Sequence, residues 1–105
     1  QTNMQVSPAE QKRLDQDLAA QTHKQRLDRL DNSIDNKQQQ ISDAKQARDS
    51  DLRRLADQMG ATRGPVHARQ QVELGIARQR HQDRIRELEQ DLRQLRKERD
   101  AAARY

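Results

Sequence analysis

The chain has 105 residues, the length of one small domain, and its composition restricts what that domain can be. Charged residues make up 36% of the chain and hydrophobic residues 30%, with one aromatic residue and no cysteine, so a broad globular core, disulfides and thiol chemistry are excluded. A thin helical seam and disorder are the two states that such a polar chain can adopt, and the net charge of +4 arises entirely after residue 62.

Residues 1–6 are predicted to form an N-terminal tail, directly followed by the first helix. The sequence SPAE, from Ser7 to Glu10, places serine at the N-cap, proline at the first helical position and glutamate where it completes a capping box. Because the chain starts at Gln1, we expect a processed mature chain or a fragment. The polar, cysteine-free composition favours an exported, periplasmic bacterial protein, with a cytoplasmic protein as the alternative.

The first helix is predicted over residues 7–59, because neither glycine nor proline occurs between Ala9 and Met59. Within it, a set of mainly apolar residues recurs at steps of three and four, the heptad spacing of a coiled-coil seam. One additional four-residue step, a stutter, occurs at Arg48. The predicted seam comprises Leu27, Leu30, Ile34, Lys37, Ile41, Ala44, Arg48, Leu52, Leu55 and Met59.

The segment MGATRGP interrupts this pattern. We expect Gly60 to end the first helix in the left-handed conformation and Pro65 to begin the second helix. Residues 60–64 are therefore predicted to form the turn of an αα-hairpin. The alternative is a single long helix that is kinked at Pro65.

The second helix is predicted over residues 65–105, and its seam contains a stutter at His81. Antiparallel alignment of the two stutters places Ile41 near Ile85 and Ile34 near Leu92. The predicted fold is all-α, with two long helices in an antiparallel coiled-coil hairpin that forms a single domain over residues 7–105. The seam of the second helix comprises Leu74, Ala77, His81, Ile85, Leu88, Leu92 and Leu95.

In this register Arg48 lies opposite Ala77 and His81 opposite Ala44, about one helical turn apart in the seam. Arg48 and His81 are predicted to form a polar layer in the seam, of the kind that fixes register in coiled coils. In the alternative interpretation, both side chains lean out of the narrow seam into water.

Residues suited to catalysis or to metal binding are not grouped in this sequence. The three histidines, His23, His67 and His81, are too widely spaced for a metal site on one helix face, and no phosphate-binding loop or nucleophile motif occurs. We therefore predict no catalytic, metal-binding or cofactor-binding residue and no enzyme activity. An alternative function is nucleic-acid binding by the arginine-rich second helix, although acidic residues interrupt the arginines and stacking aromatics are missing.

Two pairs of aliphatic residues remain outside the predicted seam. Leu14 and Leu18 lie beyond the point where the second helix ends, and Val72 and Ile76 lie near the turn. Such residues mark contact surfaces when they cluster, whereas scattered exposed aliphatics carry no meaning. We expect a structural or adaptor protein that binds a protein partner of unknown identity, does not insert into membranes, and forms an antiparallel homodimer, making a four-helix bundle.

Overall fold

The computed structural model describes residues 6–104 and contains two long helices that fold back on each other. Helix α1 spans Pro8–Met59 and helix α2 spans Gly64–Ala103, with 52 and 40 residues. At 1.5 Å per residue they are about 78 and 60 Å long. The radius of gyration is 25.8 Å, about double the ~13 Å of a compact domain of this length. The predicted all-α helical hairpin is therefore confirmed.

The start of α1 is capped by Ser7. Its hydroxyl oxygen accepts a hydrogen bond from the backbone N–H of Glu10 at 3.2 Å, and Pro8 occupies the first turn, as the sequence predicted. Among the described residues, the Ser7 N–H donates no hydrogen bond to the Glu10 carboxylate. Only half of the predicted capping box is therefore formed.

The turn reverses the chain at Gly64, and the prediction that Gly60 adopts the left-handed conformation was wrong. Gly60 keeps helical dihedral angles (φ −63°, ψ −23°) because its N–H still bonds to the carbonyl groups of Ala56 and Asp57. Gly64 has φ +70° and directly precedes Pro65, which disfavours the right-handed helical conformation in the residue before it. The left-handed residue therefore opens α2, and only residues 60–63 lie between the helices.

Side chains on both sides of the turn bind the last carbonyl group of α1. The Met59 carbonyl oxygen accepts hydrogen bonds from the hydroxyl of Thr62 and from Nδ1 of His67, at 3.3 and 3.2 Å. The Thr62 hydroxyl also bonds to the side chain of Gln70. These contacts attach the first turns of α2 to the end of α1.

The faces predicted to form the seam do meet. Every residue of the two predicted seams is buried or half-buried, including the polar residues Lys37, Arg48 and His81. The central cluster consists of Ile41, Leu88 and Leu92, against which the half-buried residues Ile34 and Ala44 pack. The core is thin, since the only buried residues described are Ile41, Ile85, Leu88, Leu92 and Ala102.

The axial register of the hairpin differs from the prediction by up to one helical turn. Lys37 pairs with Asp91 and Asp31 with Arg99, whereas the predicted register would have placed Glu89 and Leu95 at these levels. Ile41 accordingly packs with Leu88 and Leu92, not with Ile85. A heptad pattern identifies the face that a helix buries, but it leaves the position along the axis open.

Because α1 is longer than α2, its first part extends beyond the hairpin. Residues 8–22 are all exposed, and His23 is the first half-buried residue of α1. We call residues 8–22 the overhang. At 1.5 Å per residue it is about 22 Å long.

Candidate interaction surfaces

A polar contact crosses the seam at the stutter of α2. The Nε2 atom of His81 lies 2.8 Å from Oδ2 of Asp51, and Oδ1 of the same carboxylate lies 2.7 Å from Nη2 of Arg54. The hydrogen bond from His81, followed by that from Arg54, holds the pKa of Asp51 below its ordinary value. Since a carboxylate only accepts hydrogen bonds, Nε2 of His81 carries a proton and donates it.

Arg48 and His81, the predicted polar layer, each form a hydrogen bond with a different aspartate. Arg48 is half-buried in the seam, but its Nε donates to Asp49 on its own helix at 2.9 Å. The register places Asp51, three residues further along α1, within reach of His81. Asp51 is not a heptad position of the seam, because it lies one residue before Leu52, so the heptad spacing did not indicate it. The stutter could have indicated Asp51. The additional four-residue step at Arg48 rotates the residues beside the seam relative to α2, and this brings a position next to the seam towards the partner helix.

The two predicted aliphatic pairs lie in the solvent at opposite ends of the hairpin. Leu14 and Leu18, on the overhang, are 51% and 63% exposed, and Val72 and Ile76, on α2 near the turn, are 63% and 48% exposed. Ile76 borders a shallow groove whose other lining residues include Asp51 and His81. We call Leu14 with Leu18 the overhang patch, and Val72 with Ile76 the turn-end patch.

The histidines take up separate positions along the hairpin. His67 binds the end of α1, His81 binds Asp51, and His23 lies where the overhang ends and the hairpin begins. Within residues 6–104, no group of three or more histidine, aspartate or glutamate side chains is arranged to hold a metal ion. Neither α1 nor α2 contains an apolar stretch of the length needed to cross a membrane.

Comparison of this chain with known protein families, with curated proteins and with solved structures finds no match.

Proposed function

We propose that this chain is a non-catalytic structural or adaptor protein that acts through protein–protein contacts and associates with a second copy of itself. The observation that supports this proposal is the overhang, a helical segment with two largely exposed leucines and no neighbouring helix in the hairpin. The stabilising core is small, because the seam buries only five of the described residues: Ile41, Ile85, Leu88, Leu92 and Ala102. Covering more apolar surface by association would therefore increase the stability of the fold.

A two-fold contact between antiparallel hairpins accounts for both aliphatic patches. When two α1 helices lie antiparallel and meet near their middle, the overhang of each copy lies beside the turn end of the other. The overhang patch then meets the turn-end patch, and the pair of hairpins forms a four-helix bundle. Burial of the four half-exposed aliphatic side chains contributes about 1 kcal/mol for each of them.

Light scattering on the wild type and on an Ile76→Asp variant tests the homodimer. We expect a dimer for the wild type and a monomer for Ile76→Asp, because an ionised carboxylate cannot be buried against the leucines of the overhang patch. Val66→Asp is the matched control, since Val66 is also exposed, at 52%, and lies outside both patches. A wild type that remains monomeric at tens of micromolar while melting cooperatively refutes self-association, and a dimer that is insensitive to Ile76→Asp refutes this interface.

A further inference from the structure

One side of the seam carries a shallow groove that extends over several helical turns. It consists of two adjoining depressions of about 460 and 310 Å³, which share Glu89 as a lining residue. Leu52 and Ile85 line the first depression, and Ile41 and Leu92 line the second. The floor of the groove is therefore formed by the apolar residues of the seam itself, which the two helices cover only in part.

The rims of this groove are strongly basic. Glu89 is the only acidic residue that lines it, against six basic residues: Lys45, Arg48, Arg78, Arg86, Arg93 and Arg96. We call it the basic groove. Arg48 pairs with Asp49, but the other five cations form no ion pair with any of residues 6–104.

The second groove beside the seam has a different charge pattern. Its ionisable lining residues are Asp51, Glu73, Arg80 and His81, so two acidic residues lie beside one arginine and one histidine there. The second groove shares no lining residue with the basic groove, so the two grooves are separate surfaces of the hairpin. The excess of basic over acidic lining residues thus distinguishes the basic groove from the second groove.

We infer that the basic groove binds an acidic amphipathic helix of a partner protein, an inference that rests on the proposed function as an interaction module. An apolar floor requires an apolar stripe on its ligand, and the lining residues Ile41, Lys45, Arg48 and Leu52 follow one another at helical steps. A third helix laid in the groove turns the two-helix seam into a three-helix coiled coil. Carboxylates that flank its apolar stripe meet the unpaired guanidinium groups, which bind carboxylates in bidentate geometry.

The same features argue against a nucleic acid as the ligand. A phosphate backbone presents no apolar stripe to the floor, and Glu89 lies in the middle of the groove, where it repels phosphate. Single-stranded nucleic acids bind through stacking on aromatic side chains, but the only aromatic residue of the chain is Tyr105.

Fluorescence anisotropy with a labelled synthetic peptide tests this inference on the full chain. The probe is a helical peptide of about three heptads with leucine at the seam positions and glutamate at the flanking positions. Its twin carries glutamine in place of every glutamate. In the protein, Arg78→Gln/Arg86→Gln/Arg93→Gln removes three cations of the basic groove. Arg29→Gln/Arg53→Gln/Arg69→Gln is the matched control, because these exposed arginines lie outside the groove and the change in net charge is the same.

We expect the glutamate peptide to bind, the glutamine twin to bind more weakly, and the groove variant to lose about tenfold in affinity at physiological salt, while the control loses about twofold or less. Absence of binding, equal binding of the twin, or equal losses in both variants would overturn the inference. A single-stranded oligonucleotide that binds more tightly than the peptide and is sensitive to the groove variant would identify a nucleic-acid site instead.

Light scattering on the same groove variant keeps this inference separate from self-association. Loss of the dimer in the groove variant alone would show that a second copy occupies the groove, which also overturns the inference. Ile76 lies outside the basic groove, so the Ile76→Asp variant tests self-association and the groove variant tests peptide binding independently of each other.

Discussion

His81 and Asp51 are 30 residues apart in sequence, and they join the two helices across the seam through an Nε2–Oδ2 contact of 2.8 Å. Two further pairs, Asp31 with Arg99 and Lys37 with Asp91, also cross between the helices. Sliding α2 by one heptad would place Lys37 opposite Arg84 and Asp51 opposite Leu74, so neither Lys37 nor Asp51 would have its polar partner. The polar pairs therefore select one register among several that the heptad pattern alone allows.

The first prediction concerns the loss of thermal stability at low pH. Because the pKa of Asp51 is lowered in the folded chain, this carboxyl contributes stability above its ordinary pKa of 3.8, and the contribution is lost as the pH falls through the lower, folded value. We expect the Tm of the wild type to fall further between about pH 5 and pH 2 than that of Asp51→Asn, as measured by circular dichroism.

The control for the acid prediction is Asp57→Asn, whose carboxylate forms no ion pair within the described part of the chain. Its Tm should follow the wild type across the same pH range. The other charged groups that face Asp51 are Arg54, His81, Glu73 and Arg80. If Asp51→Asn and the wild type lost the same Tm on acidification, the contact would not contribute to stability.

The second prediction concerns the register. Ile41 packs with Leu88, so a chain with cysteines at positions 41 and 88 should form a disulfide within one chain under mild oxidation. Cysteines at positions 41 and 85 form the matched pair, because Ile85 is also buried but lies outside the cluster around Ile41. Crosslinking should be faster for 41 with 88. Faster reaction of 41 with 85 would return the register to the one predicted from the stutters.

The third prediction compares the two glycines of the turn. Gly64→Ala should lower the free energy of unfolding by about 1 kcal/mol, because a residue with a Cβ atom is strained at φ +70°. Gly60→Ala should be neutral or slightly stabilising, since Gly60 already has helical dihedral angles. Urea denaturation of both variants measures the difference. A larger loss for Gly60→Ala would mean that the left-handed residue is at position 60.

The fourth prediction concerns the core. Leu88 is 2% exposed and belongs to the central cluster, so Leu88→Ala should lower the free energy of unfolding by roughly 2–5 kcal/mol. In so thin a seam, this change should abolish the cooperative thermal transition. Val66→Ala serves as the control because Val66 is 52% exposed, and it should leave the transition nearly unchanged. A cooperative transition preserved in Leu88→Ala would show that the hairpin is stabilised elsewhere.

The heptad steps in the sequence were sufficient to predict which residues face the seam. Even the polar seam residues Lys37 and Arg48 are half-buried as the spacing requires. The position of α2 along α1 could not be predicted in the same way, because the apolar steps repeat along the axis and a slide of one turn still brings apolar residues together. Side chains beside the seam, such as Asp51, decide the register, and their partners are known only when the helices are aligned.

The turn shows a second limit of sequence analysis. Gly60 and Gly64 are both able to take the left-handed conformation, and the spacing of the two glycines does not distinguish them. The decisive influences are Pro65, which restricts the residue before it, and the hydrogen bonds that Thr62 and His67 make to Met59. For the interaction surfaces, the sequence indicated the exposed aliphatic pairs, but the basic groove emerges only when residues of both helices are brought side by side.

The overhang extends a helix that already exists. Helix formation is limited by nucleation, the costly fixing of a first turn, but residues 8–22 continue from turns of α1 that are held in the hairpin, so only propagation remains. Amide hydrogen exchange along this segment should therefore slow gradually from Ser7 towards His23 and not change in a single step. The overhang can then unwind and rewind turn by turn while the hairpin stays folded, so that up to about 22 Å of helix is lost and regained without refolding the hairpin.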